Sequence, residues 1–168
     1  MVFLIILIIV ALIIYCLLEY NNFTMINEST KEKFEDMDEK MRKRWDIMPK
    51  VLDVVRMNMR HERSLIEGIS NIIDLSYNSL IVERKRDFDI ELSEKIIELV
   101  EKVKEHPEFE ANPKIMTLLS QLVEIQNEIG DSRIKYNEMA KEMNKKVKGF
   151  PSNLIAKIFG FKEQVIFE

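Results

Sequence analysis

Hydrophobic positions run unbroken from Val2 to Leu18, "VFLIILIIVALIIYCLL", seventeen residues without a charge. A helix of that length reaches about 26 Å, close to the roughly 27–30 Å hydrocarbon core of a bilayer. A core helix of a water-soluble domain keeps a polar face, and this run has none. After Tyr20 the pattern changes. Phe23, Ile26, Phe34, Met37 and Met41 stand at helical spacing among charges, which predicts an amphipathic helix leaving a membrane. Val51, Val55, Met59, Leu65 or Ile66, Ile69 and Ile73 continue the stripe at three- and four-residue steps. Pro49 lacks a backbone N–H and crowds the carbonyl four residues back, so it either kinks one long helix or opens a new one; in both cases a bend near Ile47 is expected.

The stripe fades around Ser76 to Asn78, and "ERKRDFDIELSEK" reads as a connection. Asp89 or Ser93 is then the expected N-cap of a shorter helix ending near Pro107. Asn112 and Pro113 open a long periodic segment to about Lys148, with Leu119, Leu122, Gln126, Ile129, Arg133, Tyr136, Ala140, Met143 and Val147 on its stripe. Gly149 ends it, and Pro151 suits the start of a last short helix, "SNLIAKIFGF". The fold class expected is all-α: a transmembrane anchor over residues 1–20, then an antiparallel bundle of four long helices over residues 21–168.

Composition narrows the function. Gly and Pro number four each in 168 residues, which favours helices over turn-rich sheets. The single cysteine, Cys16, lies inside the apolar run, so no internal disulfide or thiolate metal site can be built. A net charge of −4 argues against nucleic acid as a partner of the whole surface. Charge is nonetheless segregated: Lys40 to Arg63 holds eight basic and three acidic residues, and Glu83 to Glu110 ten acidic and six basic ones. No Lys or Arg precedes the apolar run, no small-x-small pair follows it, and Tyr15 stands before Cys16 where a lipoprotein signal needs a small residue. An uncleaved anchor touching the membrane through residues 2–18 is therefore expected rather than a removed signal. The basic group from Lys40 to Arg44 leans toward a cytoplasmic C-terminal body.

Candidate chemistry is sparse. His61-Glu62 invites a zinc-protease reading, but the motif needs a second histidine at position 65, which is Leu. A di-metal carboxylate bundle needs Glu three residues before each histidine, where Asn58 and Val103 stand. Serines lie outside any nucleophile elbow, and the glycines are too scattered to cradle a phosphate. No catalytic residue, metal or cofactor is expected. Arg133 falls on an apolar stripe, so either it meets a carboxylate, with Asp38, Asp46 and Glu62 as candidates, or it snorkels to the bundle edge. The tail sets Lys145, Lys146, Lys148, Lys157 and Lys162 beside Phe150, Ile155, Phe159, Phe161 and Phe167. It either settles at lipid headgroups or covers the open end of the bundle.

Together these residues resemble the LemA family of bacterial membrane-anchored helical proteins. The resemblance runs through Tyr20-Asn21, Asp38, Lys43-Arg44, Asp46, Pro49 and His61-Glu62, resumes at Pro107, Ala111 and Asn112, and continues with Arg133 and Tyr136-Asn137. It closes on Phe150-Pro151, Ile155-Ala156, Gly160-Phe161 and Phe167. Phe34, Lys50, His106 and Gln126 replace a usual Trp, Asn, Tyr and Glu. The resemblance implies an uncleaved span, a bundle on the cytoplasmic side of the bacterial inner membrane, and no established enzymatic activity or cofactor. The function expected is a docking or scaffold module for other proteins at the membrane. The alternatives are a membrane-surface organiser touching lipid through Phe159 and Phe161, and an enzyme resting on His61-Glu62 alone.

Overall fold

The computed structural model describes residues 1–58, 62–106, 109 and 112–168, with no strand among them. Among these residues the elements follow in order: α1 Val2–Asn58, α2 Arg63–Ile73, α3 Val82–Lys104, α4 Pro113–Lys148 and α5 Ser152–Phe159, with a 3-10 turn at Tyr77–Ser79 between α2 and α3. Met59, His61, Pro107 and Ala111 lie outside the described residues. The chain divides into two compact units, Met1–Glu35 with Ile134–Ile166 and Asp36–Arg133 with Phe167–Glu168. The two long helices α1 and α4 each contribute to both.

In the first unit, the N-terminal part of α1 is long and apolar enough to cross a membrane, and none of that apolar window is buried by protein. An unburied window is unlike the core helix of a soluble domain and fits a membrane anchor. Beyond it, α1 turns Phe23 and Ile26 inward against Met143 of α4 and Ile155 and Ala156 of α5, with Tyr15, Cys16, Val147 and Phe161 packed around them. Lys146 of α4 reaches Glu19 at 2.8 Å, and Phe34 meets Tyr136. Rising numbers on α1 thus pair with falling numbers on α4, and the two run antiparallel. Helix α5 ends at Phe159, two residues short of the expected "SNLIAKIFGF": Gly160 takes φ 78°, and the Phe161 N–H returns to the Ala156 carbonyl at 2.9 Å. That left-handed residue costs a side-chain-bearing amino acid roughly 1–2 kcal/mol, and glycine supplies it freely. The tail after it is tied to α4, because the Asn144 amide donates to the Gln164 carbonyl and accepts from the Gln164 N–H.

In the second unit the helices alternate in direction. Arg56 reaches Ser70 and Trp45 reaches the Ile73 carbonyl, so α2 runs back along α1. Asp38 meets Lys85 and Arg44 meets Asp89, so α3 runs with α1; Arg44 also meets Gln126 and Asp36 meets Ser132, so α4 runs against it. The result is an up-down-up-down four-helix bundle. Its core takes Met37, Met41, Met48, Leu52 and Val55 from α1, Ile66 and Ile69 from α2, Leu92, Ile96 and Leu99 from α3, and Leu122 and Ile129 from α4.

Of the two alternatives at Pro49 the structure takes the single long helix, and two other sequence expectations change. Helix α1 passes through Pro49 as one element, with that proline on an exposed face. The stripe from Val51 to Ile73 is shared between two opposed helices, and Ile72 takes the buried place expected of Ile73. The segment expected as a connection is the first half of α3, which starts at Val82. Asp89 and Ser93 are therefore not caps but buried mid-helix residues. Their polar atoms are satisfied by other helices and their own turn, which removes the usual reason for such residues to leave a helix. The expectation for α4 holds closely: Asn112 Oδ1 accepts from the N–H groups of Lys114 and Ile115, with Pro113 at the first helical position.

Candidate functional site

Two features of the second unit stand apart from ordinary core: a buried charged centre and an open apolar groove. The centre begins with Arg44, whose side chain is 1 % exposed. Its Nη2 donates to Asp89 Oδ1 at 2.6 Å, and its Nη1 to Ser93 Oγ at 2.9 Å and Gln126 Oε1 at 2.8 Å. Arg133 Nη2 takes the other Asp89 oxygen at 2.6 Å, and Ser93 closes the set by donating to the Asp89 carbonyl. One carboxylate thus joins α1, α3 and α4. Burial pushes the Arg44 guanidinium below its ordinary value, while Asp89 acts in the opposite direction. The Nε atoms of Arg44 and Arg133 are buried without an acceptor among the described residues.

The sequence expectation for Arg133 was half right. A carboxylate does meet it, but not the one expected from Asp38, Asp46 or Glu62. Asp38 accepts from the Tyr77 hydroxyl and from Lys85, both at 2.7 Å; Asp46 is exposed; Glu62 lies 3.7 Å from Lys102. Arg133 itself keeps 25 % of its side chain exposed, so it is both paired and edge-reaching. We expect Arg133→Met to lower stability by only about 1 kcal/mol, because solvent screens this pair and Arg44 still covers Asp89. Thermal unfolding of the full chain followed by circular dichroism measures it, and a loss as large as that of a buried pair contradicts the assignment.

Beside this centre, burial and a hydrogen bond to Asp38 push the Tyr77 hydroxyl above its ordinary value. Trp45 packs on the Tyr77 ring at 5.2 Å and donates to the Ile73 carbonyl, fixing the turn between α2 and α3.

The groove has a volume of about 640 Å³, with Val100, Val103, Phe109, Met116, Leu119 and Val123 as its apolar floor and Lys104, Glu124, Asn127, Glu128 and Asp131 around it. Val103, Phe109 and Leu119 are buried, whereas Met116 and Val123 are 45 % and 39 % exposed. Among the described residues the rim carries three carboxylates against one ammonium.

Of the sequence-expected positions, Arg44 and Arg133 meet on Asp89, Pro49 is exposed in α1, and His61 lies outside the described residues. Tyr136 donates to the Val165 carbonyl at 2.7 Å, and Asn137 is half-buried beside it on α4. Gly160 turns the chain so that Phe161 stacks on Phe23, with centroids 4.9 Å apart and planes 14° from parallel. Asp89 was missed as a core residue. Its signal was available, since 89, 92, 96, 99 and 103 follow steps of three and four, the register of a buried helix face.

No curated protein matches this chain. A family profile matches residues 33–168, which is most of the chain and includes the whole buried charged centre. With Arg44, Pro49, Arg133 and Gly160-Phe161 all inside that matched length, the chain belongs to the LemA family.

Proposed function

We propose that this protein is a membrane-anchored docking module whose α3–α4 groove receives an amphipathic helix with a basic flank from a partner protein. The observation that carries the reading is the groove itself: an apolar floor that the described residues leave uncovered, bordered by Glu124, Glu128 and Asp131. Helix-in-groove recognition uses that combination, apolar anchors for affinity and rim charge for orientation and approach. The reading places residues 2–18 in the bacterial inner membrane and, from the basic group Lys40 to Arg44, the bundle on the cytoplasmic side. It assigns no reaction to the protein. The buried Arg44–Asp89–Arg133 centre serves it by holding α3 and α4, the two walls of the groove, at a fixed spacing through one carboxylate.

A photoreactive residue placed at Val123 of the full chain in native membranes tests this. Adducts are expected on helices that carry Lys or Arg beside an apolar face. Reversing the rim with Glu124→Lys and Glu128→Lys is expected to lower their yield about tenfold, since attraction becomes repulsion. Adducts insensitive to that reversal, or formed only with a second copy of this chain, overturn the reading.

A further inference from the structure

We infer that α5 is an interfacial helix, seated in the membrane surface beside the anchor, with Phe150, Leu154 and Ile158 reaching lipid acyl chains. Within the first unit, Ile155 and Ala156 turn inward and pack with Phe23, Ile26, Tyr15 and Cys16. Tyr15 and Cys16 belong to the apolar run that ends at Leu18, so α5 is held about one helical turn inside the end of that run. The opposite side of the segment is bare: Phe150 is 83 %, Leu154 53 % and Ile158 73 % exposed. Leu154 and Ile158 lie one turn apart on one face, and Phe150 precedes them. This apolar surface is continuous in level with the unburied surface of the anchor, and lipid is the occupant that covers both.

The surroundings have interfacial chemistry. Tyr20 lies at the end of the run with its ring centroid 4.7 Å from that of Phe159, and aromatic side chains favour the headgroup level. Lys145, Lys157 and Lys162 are exposed on the same segment, where anionic headgroups attract them. A helix of eight residues is too short to hold itself at an interface, but here Ile155 and Ala156 already fix it against α1. The placement also corrects the sequence expectation for the lipid-facing aromatics. Phe161 is stacked on Phe23 and faces inward; Phe150 takes its place.

This inference rests on the anchor reading, and spin labels separate the two. In the full chain with Cys16→Ala, nitroxides are placed by Ile158→Cys, Ile9→Cys or Glu142→Cys and the protein is reconstituted into phosphatidylcholine–phosphatidylglycerol vesicles. Power saturation then compares access by oxygen, which concentrates in lipid, with access by a water-soluble nickel chelate. The label at 158 is expected to match that at 9, with an oxygen-to-nickel ratio several-fold above the label at 142. If 9 reads lipid and 158 reads water, the inference falls and the anchor stands. If 9 also reads water, both fall. A label at 158 shielded from both reagents means that protein covers α5, which overturns lipid contact. Leu154→Cys repeats the measurement if Ile158→Cys lowers the helix content.

Discussion

Replacing Asp89 with alanine is expected to lower the stability of the chain by about 3–5 kcal/mol, the cost of removing one partner from a buried ion pair. Arg44 has 1 % of its side chain exposed and three hydrogen bonds, one of them to this carboxylate. Without Asp89 its charge keeps only two neutral acceptors, Ser93 and Gln126, while Arg133 adds a like charge nearby. At roughly 2–4 °C per kcal/mol for a chain of this size, the thermal midpoint falls by about 6–20 °C. Asp89→Asn retains shape and part of the hydrogen bonding, so a similar loss there identifies charge as the dominant contribution. The double variant Arg44→Met with Asp89→Leu removes the buried pair together, and Arg133 can turn its exposed end to water. It is expected to unfold at a higher temperature than either single variant, because apolar replacements of similar size relieve the desolvation cost. Losses that simply add would show that the two residues act independently and would contradict the geometry.

The legible parts of this fold were those in which periodicity and punctuation agreed. Helix α4 carries an Asn cap, a Pro at its first position and a stripe unbroken from Leu119 to Met143, and its bounds followed from these alone. The start of α5 just after Pro151 was legible too, whereas its end at Gly160 was not, because the expected helix ran on to Phe161. Helix α3 was not, because its buried face begins with Asp89 and Ser93. Polar residues in a charge-rich run look like a connection until their partners are known, and those partners sit 45 and 49 positions away on α1. No glycine or proline stands between the end of α1 at Asn58 and the start of α2 at Arg63, while Pro49, the visible breaker, lies within a continuous helix. The groove could not be read at all: Phe109, Leu119 and Val123 carry the same hydrophobic signal whether or not a neighbour covers them. For the same reason the sequence left the tail open between lipid and bundle. Its inward residues, Ile155, Ala156 and Phe161, and its outward ones, Phe150, Leu154 and Ile158, differ only in which way the chain turns.

Truncating Phe23 to alanine is expected to produce the second large effect, confined to the first unit. Phe23 is fully buried; Phe161 stacks on one side and the Lys146 ammonium stands 5.2 Å from its ring centroid. Removing a buried Phe costs about 3–5 kcal/mol, of which the aromatic stack accounts for about 0.5–1.5 kcal/mol. The loss falls on what the ring holds, namely α5 and the turn at Gly160, because Ile155 and Ala156 share its cluster. Hydrogen exchange of the full chain in lipid reads this directly. Amides from Ile155 to Phe161 are expected to exchange about 100-fold faster or more, while those of α2 and α3 keep their rates, since local opening follows local packing. Phe23→Leu keeps most of the volume and is expected to cost less than about 1.5 kcal/mol. A rise below tenfold in the alanine variant would mean that the Asn144–Gln164 bonds and the Tyr136 contact with Val165 hold the tail without the ring. In that case the polar straps on α4, rather than the aromatic stack on α1, set where α5 lies.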